Sequence, residues 1–281
     1  MKNHISVVIN TLNEEKNLPY ALRSVSAWAD EIIVVDMYSD DHTVEIAKEY
    51  GAKVFFHERI AAFDGARQFA IEQATNDWVL LLDADELVPE PLSRTFLDII
   101  VADEFDVVII PWLNFLLGAP LMHTGWGPDQ DKHPRLFKKS KMTTSSKIHE
   151  FMKPVGGAKV LELKYRPGIA ISHLTYVNIV QFIEKLNRYT SVEAQQAYER
   201  GERARYSRAL SDSLKEFINR YIRKKGYRDG WRGFYLSGLM GFYRWTIHAK
   251  LREIMFATNN GNTVDGYRDI AENIISLYKK G

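Results

Sequence analysis

The N-terminal part of the chain alternates between short apolar runs and segments whose apolar residues recur at helical spacing. The strand-like runs lie at residues 5–9, 31–36, 53–56 and 78–82. Short apolar runs that alternate with helices are typical of a mostly parallel sheet covered by helices on both faces. The sequence therefore predicts an α/β fold, and ligands of such folds bind beyond the carboxyl ends of the strands.

Polar residues follow three of these runs at the point where each predicted strand ends. Thr11 follows the first run, Asp36 ends the second, and Asp83 and Asp85 follow the fourth. Residues two apart in an extended segment point the same way, and two carboxylates on one side attract a hard divalent cation. A polar turn is the alternative, because Asp is common in turns. Since the strand ends should meet at one edge of the sheet, the cation site is favoured.

Composition and missing motifs narrow the function further. No glycine-rich dinucleotide or phosphate-binding loop follows any predicted strand, so an anionic substrate would need a metal ion and Arg or Lys. The chain has no cysteine, which excludes disulfides and thiolate metal sites. Its N-terminus lacks a signal-peptide pattern, and no window reaches the roughly 20 apolar residues of a membrane span. We expect a cytoplasmic protein.

Four motifs in order resemble those of glycosyltransferase family 2. They are ISVVINTLNEE from residue 5, VVD from residue 34 with SDDHT from residue 39, DGAR from residue 64, and LDAD from residue 82. The resemblance implies a GT-A fold, a nucleotide-diphosphate sugar donor, and transfer with inversion at the anomeric carbon.

The resemblance also implies roles for the residues at the strand ends. Asp83 and Asp85 would form the metal-binding DXD motif, with Asp85 as the direct ligand to Mg²⁺ or Mn²⁺ and Asp83 on the donor side. The residues implied in the donor nucleotide pocket are Thr11, Asn13, Glu14, Asp36 and Arg67. For Asp36 the alternative is an ordinary acid at a strand end, and for Arg67 it is a solvent-exposed helical residue.

The acceptor chemistry is expected in residues 101–176. An inverting transfer needs a carboxylate that takes the proton of the acceptor hydroxyl. Members of the family place a His-Glu pair on the acceptor side after an Arg-Leu-Phe strand, which implies Glu150 as general base with His149 beside it. A later histidine in an Ile-x-His-x-x-Tyr setting resembles a metal ligand, which implies His173 together with Asp85. A hydrogen-bonded structural role is the alternative for each histidine.

Two features of this half leave alternatives open. Asp129 and Asp131 compete with Glu150 for the role of base. The segment 114–127 is too apolar for a solvent-exposed loop and too often broken by Gly and Pro for a long helix. It therefore predicts either a wall over the sugar or a satellite core.

The last third of the chain is helical in pattern, basic and rich in aromatic residues. Residues 203–252 carry thirteen Lys or Arg against three acidic residues, a local net charge of +10 in a chain of net charge +1. Such a pattern fits a membrane interface or the core of a helical extension better than a nucleic-acid site. One predicted apolar stripe contains Leu210, Leu214, Phe217, Ile218, Tyr221 and Ile222.

Two domains are expected. Residues 1–176 would form the GT-A catalytic domain, with a nucleotide-sugar half (1–100) and an acceptor half (101–176), and residues 177–281 a helical extension. No oligomeric state is predicted.

The whole arrangement resembles the branch of family 2 that builds lipopolysaccharide core. This implies transfer of glucose from a UDP-sugar to a core heptose, or to another cell-envelope glycan or glycolipid. The enzyme would act at an anionic membrane surface, on the inner face of the inner membrane. No nucleic-acid partner is expected. A non-catalytic GT-A-like module that binds a membrane or a partner is the alternative. Intact Asp83, Asp85 and Glu150 count against it.

Overall fold

The computed structural model describes residues 3–59, 64–143, 152–260 and 263–278. The chain divides into two compact units, Met1–Val177 and Asn178–Gly281. The expected acceptor-side pair His149 and Glu150 lies outside the described residues.

The first unit is built on one mixed sheet with strand order β3-β2-β1-β4-β8-β6-β12-β5. The first four strands pair in parallel and are β1 (Ile5–Thr11), β2 (Glu31–Asp36), β3 (Lys53–Phe56) and β4 (Trp78–Asp83). The remaining strands are β5 (Glu86–Leu87), β6 (Val107–Leu116), β7 (Ala119–Pro120), β8 (Lys132–Lys138), β9 (Met142–Thr143), β10 (Lys153–Pro154), β11 (Val160–Glu162) and β12 (Ile171–Tyr176). Because β8 is antiparallel to both β4 and β6, the sheet departs from the mostly parallel arrangement at this point.

Helices cover the sheet because alternate strand residues are apolar on both faces. The helices of this unit are α1 (Leu18–Val25), α2 (Thr43–Glu49), α3 (Asp64–Gln73) and α4 (Glu90–Ala102). Val7 and Ile9 of β1 belong to one core cluster with residues of α1 and α4, whereas Val8 belongs to a second cluster with residues of α3. The predicted GT-A class, an α/β sheet covered by helices with further helices toward the C-terminus, is confirmed.

Strand register brings the polar strand ends together. Thr11 lies opposite Asp36 in the β1–β2 pair, and Asn10 lies opposite Asp83 in the β1–β4 pair. Parallel pairing in this register aligns the carboxyl ends of all three strands. The ends of β1, β2 and β4, where the sequence analysis predicted the donor site, therefore lie side by side at one edge of the sheet.

The segment 114–127 begins as a β-hairpin. Strand β6 runs to Leu116, and the chain reverses through Leu117 and Gly118, both with positive φ, into β7. Leu116 and Leu121 are almost completely buried. For these two residues the satellite-core interpretation agrees with the structure.

The second unit is helical. Its main helices are α5 (Ile179–Glu199), α6 (Tyr206–Ile218), α7 (Gly230–Asn260) and α8 (Thr263–Tyr278), and a π-helical turn, Asn219–Arg223, extends α6. Tyr243 of α7 donates a hydrogen bond to Glu193 of α5 at 2.5 Å, and His248 of α7 lies 3.1 Å from Asp212 of α6. Over the described ranges, no helix is both long enough and apolar enough to cross a bilayer.

Candidate active site

Two loops at the sheet edge are tied together by side-chain hydrogen bonds. The buried carboxylate of Asp36 accepts hydrogen bonds from the backbone N–H and the hydroxyl of Ser39, at 2.8 and 2.5 Å. Asn13, at φ 57°, donates its backbone N–H to Ser39 Oγ at 2.8 Å, and its side-chain oxygen accepts from Asp40 N at 2.8 Å. Glu14 N donates to Thr43 Oγ1 at 2.9 Å. Asn13, Glu14 and Asp36, which the sequence analysis predicted for the sugar-donor pocket, thus belong to two linked loops, which we call the rim.

The last two residues of β1 carry buried side-chain atoms that lack hydrogen-bond partners among the described residues. The side-chain amide of Asn10 and the hydroxyl of Thr11 are buried, and neither has a hydrogen-bond partner among the residues that the structure describes. Buried polar groups in native proteins are nearly always paired, so an unpaired group requires an explanation. A polar ligand at the end of β1 would supply the missing hydrogen bonds.

Asp83 lies between two arginines. Arg67 of α3 donates to both carboxylate oxygens of Asp83, at 3.0 and 2.8 Å, and Arg135 of β8 donates to Oδ2 at 2.9 Å. Arg135 also lies 3.2 Å from Glu86 and stacks over the ring of Trp112 at 4.6 Å. Asp83 is therefore held in an ionic cluster with the two guanidinium groups at the sheet edge.

Burial and charge move the pKa values of the two acids in opposite directions. Burial tends to raise the pKa of Asp83, but the positive charges of Arg67 and Arg135 outweigh it and hold that pKa well below its usual range. Burial raises the pKa of Glu86 to about 7, and the negative charge of Asp83 adds to this against the pull of Arg135. The environment therefore favours the ionised form of Asp83 and the protonated form of Glu86.

Asp85 has a different neighbourhood from Asp83. Ala84 and Asp85 form a turn between β4 and β5, so the extended-strand alternation expected across the motif is wrong. The carboxylate of Asp85 instead lies 3.5 Å from Nε2 of His173 on β12. Burial lowers the pKa of His173, but the hydrogen bond to Asp85 and the charges of Asp85, Glu86 and Asp83 outweigh this and raise it overall.

A buried amide orients the imidazole of His173. The side-chain oxygen of Asn114 lies 2.8 Å from His173 Nδ1 and accepts from the hydroxyl of Thr175 at 3.1 Å. The amide nitrogen of Asn114 donates to Trp126 O at 2.9 Å and to Asp131 Oδ2 at 2.7 Å. Because the oxygen is an acceptor, His173 must donate through Nδ1, which turns Nε2 toward Asp85.

The two alternative bases differ in their contacts. Asp131 accepts from Asn114 through one oxygen and lies 2.8 Å from His133 Nε2 through the other. Asp129 is exposed. Both oxygens of Asp131 are therefore engaged in positioning neighbouring side chains.

A divalent cation fits the donor atoms at Asp85. A carboxylate oxygen and an imidazole nitrogen converge there, and the imidazole is oriented through its other nitrogen, as is usual for metal-bound histidine. Within the described part of the chain no group of three or more His, Asp, Glu or Cys could hold a metal. Asp85 and His173 would therefore supply at most two ligands to an ion such as Mg²⁺ or Mn²⁺, and phosphate oxygens and water would have to complete its shell.

Arg135, Glu86, Asn114 and Asn10 are the residues of this edge that the sequence analysis did not single out. The Arg-Leu-Phe run that begins at Arg135 was the available signal, since an Arg buried beside apolar strand residues requires an acidic partner. Its partners could not be named from the sequence, because they lie 52 and 49 residues away.

Comparison with known proteins identifies the family of this chain. The model of Glycosyl transferase family 2 matches residues 6–155, which is more than half of the chain. The chain belongs to this family. It is a glycosyltransferase.

Relatives match over nearly the whole chain. An uncharacterized glycosyltransferase of Rickettsia typhi is 31% identical over 98% of this chain and 96% of its own length. A lipopolysaccharide core biosynthesis glycosyltransferase of Rhizobium meliloti is 27% identical over 88% of this chain and 91% of its own. Among solved structures, glucosyl-3-phosphoglycerate synthase of Mycobacterium tuberculosis is 25% identical over 40% of this chain and 44% of that chain, with a TM-score of 0.35. Membership of the family rests on the sequence matches.

Proposed function

We propose that this glycosyltransferase moves a sugar, with inversion and with a divalent metal ion, from a nucleotide-diphosphate sugar to a cell-envelope glycan of the lipopolysaccharide-core type. The observation that carries the proposal is the convergence of Asp85 and His173 beside the Arg67–Asp83–Arg135 cluster at the carboxyl edge of a family 2 sheet. The name of the Rhizobium meliloti relative supports the acceptor class. UDP-glucose is the proposed donor, from the motif resemblance.

The rim residues would bind the nucleotide. Asn10 and Thr11 offer buried polar atoms to it, and Asn13, Glu14 and Asp36 hold the shape of its pocket. Arg67 and Arg135, which Asp83 orients, would supply two positive charges to the diphosphate. Ordered cations of this kind stabilise the negative charge that develops on a leaving diphosphate.

Asp85 and His173 would hold the metal ion, with Asn114 orienting the imidazole. A bound Mg²⁺ or Mn²⁺ would supply Lewis-acid neutralisation of the diphosphate. We assign the general base to Glu150, with His149 beside it, from the motif resemblance. The hydrogen bonds of Asp131 to Asn114 and His133 favour a positioning role for that acid over proton transfer.

Thermal unfolding with UDP and Mn²⁺ tests the donor site. Ligand at about a hundred times Kd adds about 2.7 kcal/mol to the free energy of unfolding, which shifts the unfolding temperature by several degrees. We expect this shift for the wild-type chain and its loss in Asp85→Ala. Asp98→Ala, an exposed acid on α4, is the matched control and should keep the full shift. No shift of the wild-type chain with any of the UDP, GDP or dTDP nucleotides would refute the proposal.

Turnover of a UDP-sugar tests the base. Glu150→Gln should retain the thermal shift with UDP and Mn²⁺, while kcat falls roughly a hundredfold or more. Asp129→Asn is the control and should keep its turnover. A large loss in Asp129→Asn with retained activity in Glu150→Gln would transfer the role to Asp129.

A further inference from the structure

Helix α6 presents a row of large apolar side chains to solvent. Side chains four positions apart lie on one helix face, and five successive positions of this spacing are between 41% and 80% exposed. We call this row the α6 stripe; it consists of Tyr206, Leu210, Leu214, Ile218 and Ile222. Single exposed apolar residues are ordinary, but a contiguous exposed patch marks an interaction surface.

From Leu210 onward, the stripe is separate from the face that α6 uses for packing against α7. Ala209 is buried, and a Cβ on Gly241 of α7 would lie 3.0 Å from Ser213 O and 3.7 Å from the Cβ of Phe217. Helices α6 and α7 therefore approach closely through Ala209, Ser213 and Phe217. The predicted single apolar stripe divides into this packed face and the exposed α6 stripe.

A basic cleft lies at the start of the same helix. Its volume is about 650 Å³, and four cationic side chains line it: Arg203, Arg205, Arg208 and Lys215. Across the described residues, none of these four forms an ion pair. The one acid that lines the cleft, Asp212, is 3.1 Å from His248. Four unneutralised cations around one cleft favour an anionic ligand such as a phosphate.

An apolar cavity adjoins the basic cleft. It has a volume of about 260 Å³ and lies between α6 and α7, where Tyr206, Ala209 and Trp245 contribute to its lining. Arg205 lines both the cavity and the cleft. A ligand at this end of α6 would thus meet cations and an apolar surface side by side, which matches the chemistry of an amphiphile.

We propose that α6 docks on an anionic phospholipid bilayer, with the α6 stripe at the acyl-chain boundary and the basic cleft on lipid phosphates. The net charge of +10 over residues 203–252 supplies the attraction to an anionic surface. The aliphatic side chains of the stripe favour a lipid bilayer over a nucleic acid as the binding partner. Leu and Ile insert among acyl chains, whereas single-stranded nucleic acid is held by aromatic stacking. The proposal does not depend on the donor, the metal or the acceptor.

Binding of the full-length protein to vesicles tests the proposal. Phosphatidylcholine vesicles with and without phosphatidylglycerol are compared by co-sedimentation. We expect binding to the anionic vesicles that weakens as salt rises. The triple variant Arg203→Gln/Arg205→Gln/Arg208→Gln should bind roughly tenfold to a hundredfold more weakly, since each cation near an anionic surface contributes separately. Leu210→Ser/Leu214→Ser should also weaken binding, and this loss should persist at high salt.

Matched controls are present in the first unit. Arg23→Gln/Lys48→Gln/Lys164→Gln removes the same charge from exposed positions, and Leu97→Ser/Val101→Ser removes an exposed apolar pair of the same spacing from α4. Both controls should bind as the wild type does. Equal binding by the two charge variants, retained binding by the Leu210/Leu214 variant, or no binding of the wild type to anionic vesicles would overturn the proposal. Since no donor is present, a failed vesicle test leaves the glycosyl-transfer proposal standing, and the reverse also holds.

Discussion

Asn114 sets the orientation of the His173 ring, although it is not itself one of the proposed metal ligands. Its side-chain oxygen fixes which ring nitrogen carries the proton, and therefore which nitrogen faces Asp85. Loss of such an outer hydrogen bond typically lowers metal affinity tenfold to a hundredfold.

We predict that Asn114→Ala weakens the binding of Mn²⁺ in the presence of UDP by roughly tenfold to a hundredfold. The measurement is a Mn²⁺ titration followed by thermal unfolding. Thr175→Val is the control from the same network, because it removes only the 3.1 Å hydrogen bond to Asn114 and the weaker bond to His173 O. An equal loss in both variants would show that Asn114 does not act through His173.

Loss of the buried Arg135 should destabilise the fold strongly. It is 5% exposed in its side chain and compensates both Asp83 and Glu86. Removing one partner of a buried ionic cluster typically destabilises a protein by about 3–5 kcal/mol, because the remaining charge is left uncompensated. We expect Arg135→Gln to lower the free energy of unfolding in urea by roughly that amount. Arg94→Gln, at an exposed ion pair on α4, should change it by about 0.5 kcal/mol or less.

At the scale of elements, Glu31 joins the amino ends of neighbouring strands. It begins β2, accepts a hydrogen bond from Ser6 of β1 at 2.5 Å and from Thr75 N at 2.9 Å, and pairs with Lys53 of β3 at 2.7 Å. Burial opposes ionisation, but these bonds outweigh it and lower the pKa of Glu31 from an ordinary 4.5 to about 2. The ionised carboxylate therefore stabilises the folded sheet.

The sign of this effect gives a pH prediction. A folded pKa below the unfolded pKa contributes stability that is present above pH 4.5 and is lost as pH falls toward 2. A depression of this size corresponds to about 3 kcal/mol. We expect the free energy of unfolding of Glu31→Gln to fall below that of the wild type at pH 7, and the difference to shrink between pH 4.5 and pH 2. A difference that stays constant over this range would contradict the assignment.

The strands and helices of the donor half were predictable because their signals are local. Apolar runs and helical spacing place β1 to β4 and α1 to α3 without knowledge of any distant residue. The antiparallel insertion of β8 between β4 and β6 was not predictable in this way, since strand order depends on pairing between segments far apart in sequence. The turn at Ala84 and Asp85 was left as the less favoured alternative, because two residues carry too little pattern to separate a turn from an extended end.

The residues of the candidate site also differ in whether local sequence was enough to predict them. Residues inside the four motifs, such as Asp36 and Asp85, could be named from the sequence, although their assigned roles remain proposals. Asn114 reaches His173 across 59 residues, and Arg135 reaches Glu86 across 49. Long-range side-chain pairs of this kind follow from tertiary packing, which no single segment of sequence encodes.

At the scale of the whole molecule, charge is distributed very unevenly. The chain has a sequence pI near 7.9 and a net charge of +1, yet residues 203–252 carry +10. A local field of this size acts on a charged surface even when the net charge is close to zero.

We therefore predict that the protein binds a cation-exchange resin at a pH close to its pI. The Arg203→Gln/Arg205→Gln/Arg208→Gln variant should elute at clearly lower salt than Arg23→Gln/Lys48→Gln/Lys164→Gln, although the two have the same net charge. Co-elution of the two variants would show that the resin responds to total charge alone, and that the basic cleft is not a distinct surface.

The position of Arg135 on a late strand also bears on how the chain folds during synthesis. Asp83 and Glu86 leave the ribosome well before Arg135, which is 49 residues beyond Glu86. At a rate of about 5–20 residues per second, Glu86 is present for several seconds before Arg135 is made, and Asp83 has only Arg67 of its two arginine partners during this time. Strands β1 to β3 can pair during this interval. The carboxyl end of β4 should stay hydrated, because burying its carboxylates before Arg135 is present is unfavourable. The carboxyl end of β4 should therefore close only after β8 has been translated and docked.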